Sequence, residues 1–324
     1  MKPELQKSKF GEKVKYKHLF GPVPSRRLGM SLGVDLVPYK VCSLNCIYCE
    51  VGETTIHTLE RKEYVSVSEV LDELDHFLAG NPELDYITFS GAGEPTLNIG
   101  IEEIISHIKE NYPQYKLALL TNSTLLSDEK VREEIKDIDL LLPSLDAVSD
   151  DVFRKINNPV TSLKSQDIID GLIEFKKIFK GEIWLEIFIV PGMNDTKEEL
   201  KLFKKVLKQI RPERIQLNTL DRPGTKEWVV PSTRENLKRI AKKLHPLPVE
   251  IIAKFKSRRG IASYSDDVES RILETIRRRP CTTQDLADML GLHLNEINKY
   301  LSELILLKMV TSEVQERGTF FRAL

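Results

Sequence analysis

Six short apolar runs, separated by stretches of helical periodicity, constrain this chain more than any other feature. The runs are "LGVDLV" (32–37), "YITF" (86–89), "LALL" (117–120), "IDLLL" (138–142), "IWLEIFIV" (183–190) and "RIQL" (214–217). Between them, Val67, Val70, Leu71 and Leu74 follow an i, i+3, i+4, i+7 stripe, as do Ile101, Ile104, Ile105 and Ile108, and later Leu237, Ile240, Ala241 and Leu244. Ser66 and Glu69 have capping-box spacing for the first of these helices. Strands alternating with helices imply parallel βαβ units with right-handed crossovers. Six units are too few to close the eight-stranded barrel. The expected fold class is therefore α/β, a partial (β/α)6 TIM-like barrel, with a doubly wound open sheet as the alternative. Both place ligands at the carboxyl ends of the strands.

The alternation does not account for the whole chain of 324 residues. It stops at "KFKSRRGIASYSDD", where the composition turns basic and small, and residues 254–267 read as a linker. Beyond it, "VESRILETIRRRP" is a helix closed by Pro280. "TTQDLADMLG" is a second helix, started by Thr282 and Asp285 and stopped by Gly291. "NEINKYLSELILLKM" is a third, followed by two short strands turning at Arg317-Gly318. That order is a small C-terminal winged helix-turn-helix domain over 268–324. The expected partition is a basic N-terminal segment (1–19), a barrel (20–253), the linker and the winged helix.

Net charge is close to zero, with 48 Lys+Arg against 49 Asp+Glu, so no global field draws the chain to nucleic acid or anionic lipid. The first twenty residues lack the apolar core of a signal peptide, and no apolar run approaches the ~20 residues that span a bilayer. The expected location is cytoplasmic, with no membrane partner.

Three of the four cysteines, Cys42, Cys46 and Cys49, fall inside "CSLNCIYCE". A disulfide framework is a poor reading of so few cysteines in so long a chain. Structural zinc commonly takes two separated ligand pairs; here the three thiolates are packed together, and a Cys3His site completed by His57 stays open on spacing. An iron–sulfur cube fits three close thiolates, each on one iron, leaving the fourth iron to a ligand that is not protein.

The spacing Cys42-x3-Cys46-x2-Cys49, with Tyr48 before the last cysteine, resembles the signature of the radical S-adenosylmethionine superfamily. "FSGAGEPTLN" (89–98), directly after "YITF", resembles that superfamily's GGEP-type turn. Gly91 and Gly93 let backbone approach a ligand, and Glu94 offers a carboxylate to an ammonium group. The resemblance covers about residues 20–252. It implies a [4Fe–4S] cluster held by Cys42, Cys46 and Cys49, and S-adenosylmethionine on the open iron. Reductive cleavage to a 5′-deoxyadenosyl radical would then serve hydrogen abstraction from a substrate. It also implies cofactor contacts at strand ends, for which Tyr48, Gly91, Gly93, Glu94, Asn122, Ser144 and Asn218 are the candidates. Glu94 is on a different strand from the cysteines, so cluster and cofactor binding are expected to separate on its substitution. Glu186, alone among apolar neighbours, faces either the barrel interior or a basic partner. Arg26 and Arg27 either clamp an anion or form a surface ion pair.

"GPVPSRRLGMSLGVDLVPYKVCSLNCIYCEVGETT" resembles Fe–S oxidoreductases grouped with the wyosine-synthase branch, which modifies a tRNA guanosine. The cysteines for a second cluster and a flavodoxin-like domain are both missing, so electrons are expected from an external ferredoxin- or flavodoxin-type donor. Two substrate readings stand: RNA docked by the winged helix, or a protein or small molecule with the winged helix as a contact domain. A cluster-sensing transcription regulator ranks last. From 268 to 324, eight basic residues face eight acidic ones, and Glu296 and Glu303 flank Asn295, Asn298 and Lys299 on the presumed recognition helix, so DNA binding is not favoured.

Overall fold

The computed structural model describes residues 16–25, 27–220, 224–252, 268–292, 297, 300–301, 304–305, 307–315 and 318–324. Arg26, the linker over 254–267, Arg317 and part of the expected third C-terminal helix, including Asn295, Glu296, Asn298, Lys299 and Glu303, lie outside them.

The first element among the described residues is β1 (Leu19–Ser25), which turns back into β2 (Gly29–Val34). A long loop follows, pinned by the short pair β3 (Val41–Cys42) and β4 (Ile56–His57), and leads to α1 (Val67–Leu78). Then come β5 (Tyr86–Phe89), a 3-10 turn (Pro95–Leu97), α2 (Ile101–Asn111), β6 (Lys116–Thr121), α3 (Glu129–Ile135) and β7 (Leu140–Pro143). After α4 (Asp150–Asn157) and α5 (Ser165–Ile178) the pattern continues through β8 (Glu182–Phe188), α6 (Lys197–Ile210), β9 (Arg214–Asn218), α7 (Arg234–Leu244) and β10 (Val249–Ile251).

One sheet runs β1-β2-β5-β6-β7-β8-β9-β10, in the order of the chain. A doubly wound sheet needs a point where that order reverses; none exists here, so the helices pack on one face and the sheet curls as a partial barrel. The expected six strands are present as β2 and β5–β9, all parallel. Two more extend the edges: β10 parallel to β9, and β1 antiparallel to β2. Strand β1 escapes a sequence reading because Gly21, Pro22 and Pro24 look like turn residues, and an edge strand tolerates them. Strand β2 starts and ends three residues early, because the chain leaves the sheet at Asp35.

Side chains alternate across the sheet as a pleat demands. Leu117, Leu119, Leu141, Ile183 and Leu185 pack under the helices, whereas Leu28, Ala118, Leu140, Leu142 and Trp184 cluster on the inner face. Glu186 lies two residues past Trp184 and therefore shares the inner face. Ser66 caps α1 by accepting from the Glu69 amide at 3.4 Å, but Glu69 turns its carboxylate to His18 and Lys17. The amides of Lys17, His18 and Leu19 all bond Glu73, so this end of the basic N-terminal segment is tied to α1.

Residues 268–324 contain α8 (Val268–Arg278), β11 (Cys281–Thr282), α9 (Thr283–Leu290), β12 (Val310–Gln315) and β13 (Gly318–Ala323), with a small sheet in the order β11-β13-β12. Thr282 and Asp285 form a full capping box, and Gly291 ends α9 at φ 67°. Cys281 is buried in this module's own core with Ile272, Ile276, Leu286 and Phe321. Among the described residues no helix is long and apolar enough to cross a membrane.

Candidate functional site

The cysteine loop crosses the carboxyl ends of the parallel strands and is anchored from several sides. The amides of Asn45 and Ile47 bond the Asn157 and Ile156 carbonyls at the end of α4, and Val160 N donates to Ser43 O. Thr54 holds the Leu44 carbonyl, and the loop after β9 reaches over from the other side, where Thr225 Oγ1 donates to Cys49 O at 3.1 Å.

All three sulfurs are free thiols, and each receives one side-chain N–H donor. Lys40 Nζ lies 2.8 Å from Cys49 Sγ, Asn122 Nδ2 3.4 Å from Cys42 Sγ, and Asn157 Nδ2 3.4 Å from Cys46 Sγ. Burial pushes the Cys42 thiol up to about 11 and that of Cys46 higher still. Thiols held this high become thiolates at neutral pH only if a bound metal displaces their protons to solvent. Donors aimed at sulfur fit metal-bound thiolates, whose charge they offset. His57, the fourth ligand of a zinc reading, is exposed and places Nε2 3.0 Å from Ser43 O. Among the described residues no three His, Cys, Asp or Glu side chains gather around one point, as a single ion requires. The donor set thus fits a multi-iron cluster better than zinc.

Lys40 itself was not singled out from the sequence. It is 3% exposed, and its second contact is the Gly52 carbonyl at 3.0 Å. Asp146, two residues after the candidate Ser144, is the second such group. It accepts from Phe188 N and Asn157 Nδ2 and from the Tyr48 hydroxyl, and burial pushes its carboxyl up to about 6. Tyr48 lies flat on Phe188, ring centroids 3.8 Å apart. Asn157, at the end of α4, carried no signal in the sequence. Its Oδ1 is buried without a hydrogen-bond partner among the described residues. It borders a cavity of about 30 Å3 shared with Cys46, Tyr48, Asn122, Ser144 and Asp146, room for a water molecule.

The glycines of the "GAGEP" turn are also required by the chain's own packing. A Cβ on Gly93 would lie 1.9 Å from the Val41 carbonyl, and one on Gly91 (φ +152°) 2.0 Å from an Asp35 carboxylate oxygen. The close approach is to the cysteine loop and to β2, made by the protein to itself. Glu94 is 2% exposed. Its Oε1 accepts from Thr96 Oγ1 and Thr121 Oγ1, both at 2.7 Å, and from Thr96 N, and its Oε2 from Asn122 N at 2.7 Å. Burial raises its carboxyl above the ordinary range against the pull of those bonds. Its own amide donates to Val41 O at 3.0 Å, next to Cys42. The Glu94 side chain therefore ties β6 to the turn, while its backbone amide ties the turn to the cysteine loop.

The other strand-end candidates gather at the same end. Asn122 contacts Ser43 Oγ as well as Cys42. Ser144 N bonds Thr121 O, and its carbonyl accepts from Ser123 Oγ. Asn218 Nδ2 lies 3.3 Å from Glu186 Oε2. Glu186 finds a basic partner inside the barrel: Arg27 Nη1 is 2.6 Å from Glu186 and 3.2 Å from Gln216 Oε1. Arg27 is thus neither a surface pair nor an open clamp.

A parallel sheet carrying three donor-supplied thiols and a glycine turn on one rim defines a class. The Radical SAM superfamily model matches residues 36–203, and the chain belongs to that superfamily. Within it, the chain is 32% identical over 299 residues to a UPF0026 protein of Methanocaldococcus jannaschii, covering 90% of this chain and 92% of that one. It is 36% identical over 313 residues to a protein named GTPase Obg from Brachyspira hyodysenteriae; the match takes in 96% of this chain but spans only 45% of that relative's length. Among solved structures, a radical SAM methyltransferase from Sphaerobacter thermophilus shares the fold at TM-score 0.56 and 15% identity, over 70% of this chain and 67% of that one. Streptococcus suis SuiB bound to S-adenosylmethionine does so at 0.51 and 11%, over 73% and 54%.

Proposed function

We propose that this protein is a radical S-adenosylmethionine enzyme in which Cys42, Cys46 and Cys49 hold a [4Fe–4S] cluster. The observation that carries the reading is the set of three free thiols, each supplied with its own N–H donor, on the rim where the "GAGEP" turn ends β5. A cluster bound there would supply one electron, received from an external ferredoxin- or flavodoxin-type donor, for the reductive cleavage of S-adenosylmethionine into methionine and a 5′-deoxyadenosyl radical. The chain's part is to orient the cofactor and keep water away. With the Cβ side of Gly91 and Gly93 taken up by Asp35 and Val41, it is the backbone of these glycines, together with the Glu94 carboxylate, that would receive its amino-acid end, and Tyr48, Asn122, Ser144 and Asn218 would line its bed.

Residues 268–324 we read as a winged-helix module, on the order helix, strand, helix, strand, strand and its three-stranded sheet. Its balanced charge favours a protein or small-molecule substrate over the RNA suggested by resemblance to the wyosine-synthase branch.

The test is anaerobic reconstitution. About four irons and four sulfides per chain are expected, lost on replacing Cys42, Cys46 or Cys49 by Ala and kept in Cys281→Ala. With reductant and S-adenosylmethionine, the loaded protein should release 5′-deoxyadenosine. Tight zinc with no iron sinks the proposal.

A further inference from the structure

Asp35 lies where β2 leaves the sheet, and its carboxylate occupies the space beside Gly91. Both of its oxygens face the Ala92 amide, at 3.3 and 3.2 Å, so it holds the middle of the "GAGEP" turn. The side chain is 13% exposed, and its partner comes from the other end of the chain: Arg278 Nη1, on α8, lies 2.9 Å from Asp35 Oδ2. The guanidinium is seated by an aromatic ring, 3.8 Å above Phe20 of β1. Phe20 in turn lies against Gly33, where a Cβ would be 2.1 Å from the ring. Val23 of β1 packs on the C-terminal module's core. A chain of direct contacts therefore runs from the module, through Arg278 and Asp35, to the backbone of the turn.

We propose that Arg278 is a positioning residue for the cofactor turn, so that the docked C-terminal module sets the affinity of the barrel for S-adenosylmethionine. The inference rests on the reading above, that this turn receives the cofactor. A carboxylate this buried keeps its charge at a cost, and the guanidinium offsets it. Without Arg278, Asp35 takes up a proton or turns to water, and the Ala92 amide is left with a neutral acceptor or none. Because coupling between two sites is reciprocal, cofactor bound at the turn must favour the docked module by the same factor. Whatever the module binds then alters the cofactor site by moving Arg278, with no contact of its own to the cluster.

The test uses the full chain and the variants Arg278→Gln, Arg278→Lys and Asp35→Asn. Amide exchange at residues 90–94 is read in the cluster-free protein, with α2 as internal control. Equilibrium binding of S-adenosylmethionine is read in the loaded protein at matched iron content. Arg278→Gln should speed exchange around Ala92, leave α2 unchanged and weaken binding on the order of tenfold. Arg278→Lys should restore part of both effects, since it keeps the charge and loses the planar fork. Combined with Asp35→Asn, Arg278→Gln should add little to either single change. Parent-like binding in Arg278→Gln overturns the inference, whatever the exchange shows, and so do fully additive effects. A parent that holds its cluster but binds no S-adenosylmethionine overturns the functional reading instead, and exchange at Ala92 still reports the bridge. If Arg278→Gln does not fold, Phe20→Leu unseats the guanidinium while keeping both charges. A smaller weakening is then expected, and parent-like binding again overturns the inference.

Discussion

Lys40 brings an ammonium group into the interior beside Cys49, with the Gly52 carbonyl as its other contact. An unpaired buried charge is among the costliest things a fold can hold. The contact becomes favourable when Cys49 is a thiolate, so Lys40 stabilises the metal-bound form of the loop over the metal-free one. Lys40→Met, which keeps the chain length and removes the charge, should leave the metal-free protein as stable or raise it by about 1 kcal/mol. Iron should be lost from it faster to a competing chelator. Parent-like retention would mean that the ammonium does no more than fill space. Asp146 makes a pH-dependent contribution. Its folded value, about 6, is above the ordinary 3.8 because it is buried, so protonation favours the folded state. That stability is fully present below about pH 4 and is lost as the pH rises through 6, by about 3 kcal/mol in all. In metal-free protein, Asp146→Asn should abolish this part: its stability relative to the parent should climb between pH 4 and 7. A flat difference in urea unfolding across that range contradicts the assignment.

At the scale of elements, the cysteine loop, the glycine turn and the end of β6 form one unit. Gly93→Ala forces a methyl group into the Val41 carbonyl, and the backbone must shift. A loss of about 1–3 kcal/mol is expected, with poorer iron retention because Val41 precedes Cys42. Glu94→Ala strips the acceptor from Thr96, Thr121 and the Asn122 amide, and should cost about 3 kcal/mol or more. Glu94→Gln keeps the shape and is the milder change; both are read by urea unfolding and iron content. Full iron loading in Glu94→Ala would show the turn and the loop to be independent after all. The central strands β5–β9 were legible because buried parallel strands are short apolar runs bounded by helical stripes. The three cysteines and the turn were legible because their spacing is local. Contacts between distant parts of the chain were not: nothing in "GAGEP" shows that Asp35 and Val41 crowd the Cβ side of its glycines. Lys40 sits two residues before Cys42, but nothing in "PYKVC" shows that its side chain turns inward.

At the scale of the molecule, two cores of unequal size meet along β1. The barrel core spans every helix from α1 to α7, while the C-terminal module closes over a small cluster around Ile272, Leu286 and Phe321. Fewer than sixty residues bury little apolar surface, so such a module is marginal alone and draws on its docking for stability. Deleting it leaves Asp35 without Arg278 and uncovers Val23, so cofactor cleavage is not expected to survive deletion unchanged. The intact chain should open in two steps. In native-state amide exchange with rising urea, α8 and α9 should lose protection before α1 and α2, and residues 90–94 should loosen with the module although they belong to the barrel. Arg278→Gln should lower the opening free energy of α8 and α9 by about 1.5–3 kcal/mol, the usual range for a hydrogen bond to a charged group, and leave that of α2 in place. If the turn kept its protection while α8 opened, the bridge would be a surface contact without consequence for the cofactor site. If module and barrel opened together at one urea concentration, the two cores would be a single cooperative unit, and the division at β1 would be structural only.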